Sequence, residues 1–83
     1  MTLNVLYFAW LRERIGLSSE AVDTDAETVA DLVNELRERE DRYDLAFSDM
    51  ASVRVAVDQE LTSLDASLAG AREVAFFPPM TGG

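Results

Sequence analysis

Few of the 83 residues could do chemistry on their own. There is no Cys, which excludes a thiolate nucleophile, a zinc-thiolate site and a disulfide staple. There is no His, which removes the usual neutral-pH acid–base group and the commonest metal ligand. All seven basic side chains are Arg. Schiff-base and activated-amine chemistry is therefore excluded too, apart from the N-terminus. Carboxylates, hydroxyls, two Tyr and the chain's own C-terminal carboxylate remain. That inventory weighs against a free-standing enzyme.

The C-terminal carboxylate stands out by its context. The chain closes on Phe76-Phe77-Pro78-Pro79-Met80-Thr81-Gly82-Gly83. Pro78 and Pro79 favour an extended, stiff backbone. Gly82 and Gly83 carry no Cβ, so a narrow active site could admit them and the carboxylate of Gly83 with little steric hindrance. The expectation is one folded domain over residues 1–79 and a flexible tail over 80–83.

Other clusters have plainer readings. Asp23-Thr24-Asp25-Ala26-Glu27 invites a calcium loop. It fails the EF-hand template, because Thr28 stands where the loop needs Gly and Asn34 where it needs a bidentate Glu. The same residues read better as a helix start, with Thr24 as N-cap and Glu27 closing a capping box. Acidic and Arg residues from Arg37 to Asp44 read as a solvated, ion-paired surface. No Gly-rich nucleotide loop is present.

The elements that must carry the tail follow from periodicity. Leu3 to Phe8 is rich in strand formers. Leu11 to Ile15 reads as a short helix stopped by Gly16, and Ser19 to Val22 as a second strand paired with the first. Val29, Leu32, Val33 and Leu36 form one helical stripe running to about Arg39. Arg42 to Met50 reads as loop, with Leu45 and Phe47 tucked inward. Ser52 to Val57 alternates as a strand, Asp58-Gln59 turns and leads into Leu61, and Ser63 to Ala69 fits one helical turn. Glu73 to Phe77 is a last strand, ended by two prolines that cannot donate to a ladder. The first and last strands are the most apolar, which suits central positions. The fold class is α+β: a ubiquitin-like β-grasp, with a small mixed sheet and one long helix on one face. A ferredoxin-like split β-α-β is the runner-up.

Alternation then sorts the sheet. Leu3, Val5, Tyr7, Val53, Val55, Val74 and Phe76 would face the helix. Leu6, Phe8, Ala56, Ala75 and Phe77 would face away, with Leu61 joining them. Two Phe and two Leu on an uncovered face form an apolar patch suited to a partner. The net charge of −9 argues against nucleic acid and favours a partner with a basic face. The apolar stretch from Val5 to Leu11 is too short to span a bilayer, and no basic leader precedes it. The expectation is a cytoplasmic protein with no membrane association.

These residues also carry a resemblance. Val5-Leu6-Tyr7-Phe8-Ala9 with Leu11-Arg12-Glu13, then Val57-Asp58-Gln59, then Glu73 to Pro79 and Thr81-Gly82-Gly83 resemble the small-subunit family of molybdopterin synthase. Those proteins are sulfur carriers of the ubiquitin-like superfamily, and the resemblance covers nearly the whole length. Asp58 stands where Asn is more usual, Met80 where Val is, and Ala69 to Arg72 where an acidic turn is common.

The resemblance implies that an ATP-dependent enzyme adenylates Gly83 and that sulfur replaces AMP to leave a thiocarboxylate. The tail, with Thr81 and Gly82, then enters a large subunit, where the sulfur is passed to cyclic pyranopterin monophosphate to build the dithiolene. It implies a heterotetramer of two small and two large subunits, and no cofactor or metal held stably by this chain. It also implies that Phe8, Leu61, Phe77, Pro78, Pro79 and Met80 contact the partner. Two alternatives share the Gly-Gly end: a carrier for thiamin thiazole synthesis, whose members lack the Phe-Phe-Pro-Pro block, and a ubiquitin-like protein modifier.

Overall fold

The computed structural model describes residues 1–79; the expectations for Met80, Thr81, Gly82 and Gly83 lie outside the described residues. Five strands form one mixed sheet: β1 Thr2–Tyr7, β2 Ser19–Asp23, β3 Arg54–Val57, β4 Glu60–Thr62 and β5 Glu73–Phe77. Their order is β2-β1-β5-β3-β4. β1 and β5 run parallel, and the other neighbours are antiparallel. The two most apolar strands thus lie side by side in the interior of the sheet, as their composition requires. This is the β-grasp arrangement.

Among the described residues three α-helices accompany the sheet, α1 Ala9–Ile15, α2 Val29–Arg39 and α3 Asp41–Ala46, with a short 3-10 helix over Met50–Ser52. Gly16 ends α1 in the left-handed region at φ 87°, and its N–H bonds the Arg12 carbonyl at 2.8 Å. The stripe Val29, Leu32, Val33 and Leu36 of α2 is buried against Leu3, Val5, Tyr7, Val55, Val74 and Phe76. Ring packing centres on Phe76, which lies nearly parallel to Tyr7 at 6.3 Å and edge-on to Phe47 at 5.0 Å.

Three expectations are corrected. The N-cap of α2 is Thr28, not Thr24. Thr28 Oγ1 accepts from Asp31 N–H at 3.2 Å, and Asp31 Oδ2 accepts from Thr28 N–H at 3.3 Å. Thr24 is occupied otherwise: its hydroxyl accepts from Ala26 N–H at 3.0 Å and donates to Glu35 at 2.7 Å. The segment after Arg39 is not loop but helix α3. It buries Tyr43 and Ala46, with Phe47 just beyond, while Leu45 is exposed. Arg42 donates to the Ile15 carbonyl at 2.8 Å and ties α3 to the end of α1.

Residues 63–69 hold no helical turn. Their carbonyls are committed to the start of α2: Val29 N–H donates to Ala66 O at 3.1 Å, and Ala30 N–H donates to Leu64 O at 2.7 Å. A helix start leaves its first N–H groups without intrahelical partners, and this loop supplies them.

Glu20 makes a contact that no local pattern announces. Its Oε2 accepts from the hydroxyls of Tyr7 at 2.8 Å and Tyr43 at 2.6 Å. Burial first, then the hydrogen bond to Glu20 and its charge, push the Tyr43 phenol up to about 12. The same causes push Tyr7 far above its ordinary value. These are the only two Tyr in the chain. Alkaline absorbance titration is therefore expected to show no tyrosinate near pH 10, the ordinary phenol value, while the domain is folded. Because the folded values are raised, their stabilisation is complete below pH 10 and is lost as pH rises above it, through about 12 for Tyr43 and further still for Tyr7. A phenolate signal at pH 10 with unchanged circular dichroism would contradict the clasp.

Candidate functional site

The outer face of the sheet is built by strand alternation. With Leu3, Val5 and Tyr7 pointing into the core, Leu6 and Phe8 point out. With Val74 and Phe76 in the core, Ala75 and Phe77 point out, and Ala56 does so between Val55 and Val57. Register aligns them. Leu6 pairs with Ala75, Ala75 with Ala56, and Ala56 with Leu61. One row across four strands thus reads Leu, Ala, Ala, Leu. At ~4.8 Å per strand its two leucines stand about 14 Å apart over a floor of two methyl groups. Leu61 is 76% exposed, and the floor alanines are 9% and 8% exposed.

The next row towards the end of β5 places Phe77 beside Arg54. Phe8 continues the register of β1, its N–H donating to the Phe76 carbonyl at 3.1 Å, and the residue is 49% exposed. Ala9 then turns at φ 53°, a left-handed value that costs a residue with a Cβ on the order of 1 kcal/mol. Phe77, Pro78 and Pro79 are half-buried. Phe8, Phe77, Pro78 and Pro79 therefore gather where β5 ends, and Leu61 lies on the same face two strands away.

The opposite end of this face is polar. Asn4 pairs with Glu73, next to the turn at Asp58-Gln59. Both turn residues have positive φ, 50° and 72°, as a mirror-type hairpin turn requires. Asp58 Oδ1 accepts from Arg72 N–H at 2.9 Å and Glu73 N–H at 3.0 Å, which fixes the entry to β5. Only oxygen lone pairs are used, so an amide oxygen would serve as well as a carboxylate. That accounts for Asp at a position where the sequence resemblance expects Asn.

The remaining surface offers little chemistry. Among the described residues, no three Asp or Glu side chains gather as a metal site would require. No buried side-chain polar atom among them lacks a partner. No helix among them is long and apolar enough to cross a membrane. The geometry thus presents an apolar face with Phe8 exposed where the chain leaves the sheet and Leu61 exposed two strands away. Sequence reasoning named Phe8, Leu61, Phe77, Pro78 and Pro79 for this face; alternation along Ser52 to Val57 also turns Arg54 outward with Ala56, but gave it no role there.

Comparisons with known proteins bear on this geometry. The model of the ThiS family matches residues 5–83. The chain is 42% identical over 81 residues to the molybdopterin synthase sulfur carrier subunit of Escherichia coli, covering 98% of this chain and 99% of that protein. It is 37% identical over 81 residues to the protein of the same name from Haemophilus influenzae, with the same coverage, 98% and 99%. Among solved structures it is similar to SAMP1 from Haloferax volcanii, with a TM-score of 0.75 and 26% identity over 100% of both chains.

Proposed function

This chain belongs to the ThiS family, and on that premise we propose that it is the sulfur carrier subunit of molybdopterin synthase, inactive alone and working through the carboxylate of Gly83. The observation that carries this reading is the reach of the family match. It runs through Gly83, on a chain with no side-chain thiol, imidazole or primary amine to do the chemistry instead.

A free carboxylate is a poor acyl donor, because its leaving group would be oxide. In the proposed cycle the Gly83 carboxylate attacks the α-phosphate of ATP on an activating enzyme and expels pyrophosphate. The outer sulfur of a persulfide then attacks the acyl carbon and AMP leaves; a thiol reductant cleaves the resulting acyl disulfide, so that Gly83 ends as a thiocarboxylate and the thiols as a disulfide. Thr81 and Gly82 extend that group into the large subunit, where the sulfur bonds to a side-chain carbon of cyclic pyranopterin monophosphate as a carbon–oxygen bond of that carbon breaks. Water then cleaves the acyl–sulfur bond and restores the carboxylate. Two such turnovers supply the two dithiolene sulfurs.

The large subunit contributes the substrate-binding and proton-transfer groups. The small subunit contributes the docking face, with Phe8, Leu61 and Phe77 as anchors and Pro78, Pro79 and Met80 as the neck. The coincidence of the apolar half of the face with the end of β5 supports this division. A partner that covers Phe8 and Phe77 also stands where the chain emerges.

The test is intact-mass analysis after incubation with ATP, activating enzyme and a sulfur donor. The expected gain equals the exchange of one oxygen for one sulfur, localised to the C-terminal peptide. A protein that stays at its starting mass while a known carrier is converted in parallel would refute the reading.

A further inference from the structure

Arg54 is out of place on an apolar face. It opens β3 as the register partner of Phe77 and is exposed. In a chain with 16 acidic side chains, Arg37, Arg39 and Arg42 each hold a carboxylate. Arg54 forms no ion pair with any described Asp or Glu. It is nevertheless anchored, because its Nη1 donates to the carbonyls of Ala51 at 3.0 Å and Val53 at 3.2 Å. Those bonds use one corner of the guanidinium. The Nε–H and Nη2–H edge, the parallel pair that matches a carboxylate, donates no hydrogen bond to the described residues.

We infer that Arg54 is a positioning residue that receives an Asp or Glu of the synthase large subunit and so fixes how this face docks. The inference rests on the proposed function above. A partner that covers Phe77 must also cover or border Arg54, one strand away. Removing a guanidinium from water without an anion is strongly unfavourable, so the partner surface must supply one there. A guanidinium already held by its own backbone loses less freedom on forming that pair than a free side chain would.

The charge layout also sets orientation. The cation stands at the end where β5 leaves the sheet, whereas Glu73 and Asp58 stand at the other end. A partner turned half a revolution on this face would set its carboxylate against theirs. Although the net charge of −9 calls for a basic partner overall, the inferred contact is a local inversion that distinguishes the productive pose.

The experiment is calorimetric titration of the purified large subunit with parent, Arg54→Glu, Arg54→Lys and Phe77→Ala proteins at low and high salt. Arg54→Glu is expected to weaken association by about 100-fold at low salt and by less at high salt. Arg54→Lys keeps the charge but loses the paired donors, and it is expected to cost on the order of 10-fold. Melting temperatures establish folding, and the Arg–Lys comparison stands by itself if the Glu variant does not fold. A loss on Arg54→Glu that salt does not diminish would mark a merely structural role and overturn the inference. If Arg54→Glu and Arg54→Lys bind like the parent while Phe77→Ala binds weakly, the Arg54 inference fails and the docking face stands. If Phe77→Ala also binds like the parent, the docking face itself is wrong.

Discussion

Removal of Gly82 and Gly83 is expected to abolish sulfur transfer and to leave thermal unfolding unchanged. The stability half follows from the core. Every buried apolar residue from Leu3 to Phe76 lies in the described domain, and β5 ends at Phe77. The functional half follows from reach. Two extended residues span about 7 Å, whereas reacting atoms must approach within ~3.5 Å. A carboxylate moved back to Thr81 falls short by more than the reacting distance, so the step is lost and not merely slowed. That shortened end would also carry a β-branched side chain into a passage suited to glycine. Gly83→Ala separates the two effects, because it keeps the length and adds one methyl group. Reconstitution of dithiolene formation by the doubly truncated protein would show that the carboxylate of Gly83 is not the working group.

The second large effect is a contrast between neighbours. Phe76→Ala is expected to unfold much of the population, whereas Phe77→Ala is expected to fold and to lose its partner. The Phe76 ring is fully buried between Tyr7 and Phe47, and truncating such a ring typically costs about 3–5 kcal/mol. A domain of this length has roughly 4–12 kcal/mol in total. Phe77 is half-buried on the outer face, so its removal leaves no internal cavity. As an interface anchor it is expected to contribute about 2 kcal/mol or more to association. Urea unfolding and calorimetric binding of the two variants provide the check. A stable Phe76→Ala and an unfolded Phe77→Ala would mean that the two faces are exchanged, as a one-residue slip of register would do.

Much of this was legible because strand alternation and helix periodicity are local. The inward set Leu3, Val5, Tyr7, Val55, Val74 and Phe76 and the α2 stripe were read directly and are buried. The helix start was misplaced because Thr24 and Thr28 each have a carboxylate three residues on. What separates them is that Thr28 immediately precedes Val29, the first buried residue of the stripe. Helix α3 is hidden in the sequence because Leu45 and Phe47, two residues apart, do not share a helix face; Tyr43, Ala46 and Phe47, at helical spacing, are the buried set. The loop 63–69 takes its shape from the donors of α2, and Glu20 finds its tyrosines 13 and 23 residues away. Neither partnership leaves a trace in neighbouring sequence. On the candidate face, the aromatic anchors were legible from type and parity, whereas the idle edge of Arg54 required coordinates.

The central place of β5 has a mechanical consequence. The strand is held by β1 on one side and β3 on the other, over four register pairs each. A pull applied at Pro79 along the strand would load both ladders in shear, with all their bonds resisting together. An edge strand pulled outward would instead peel one bond at a time. Forced unfolding is governed by the barrier to that first rupture. The domain can therefore bear a load applied at the end of β5, and a protein unfoldase that starts there meets its strongest direction first.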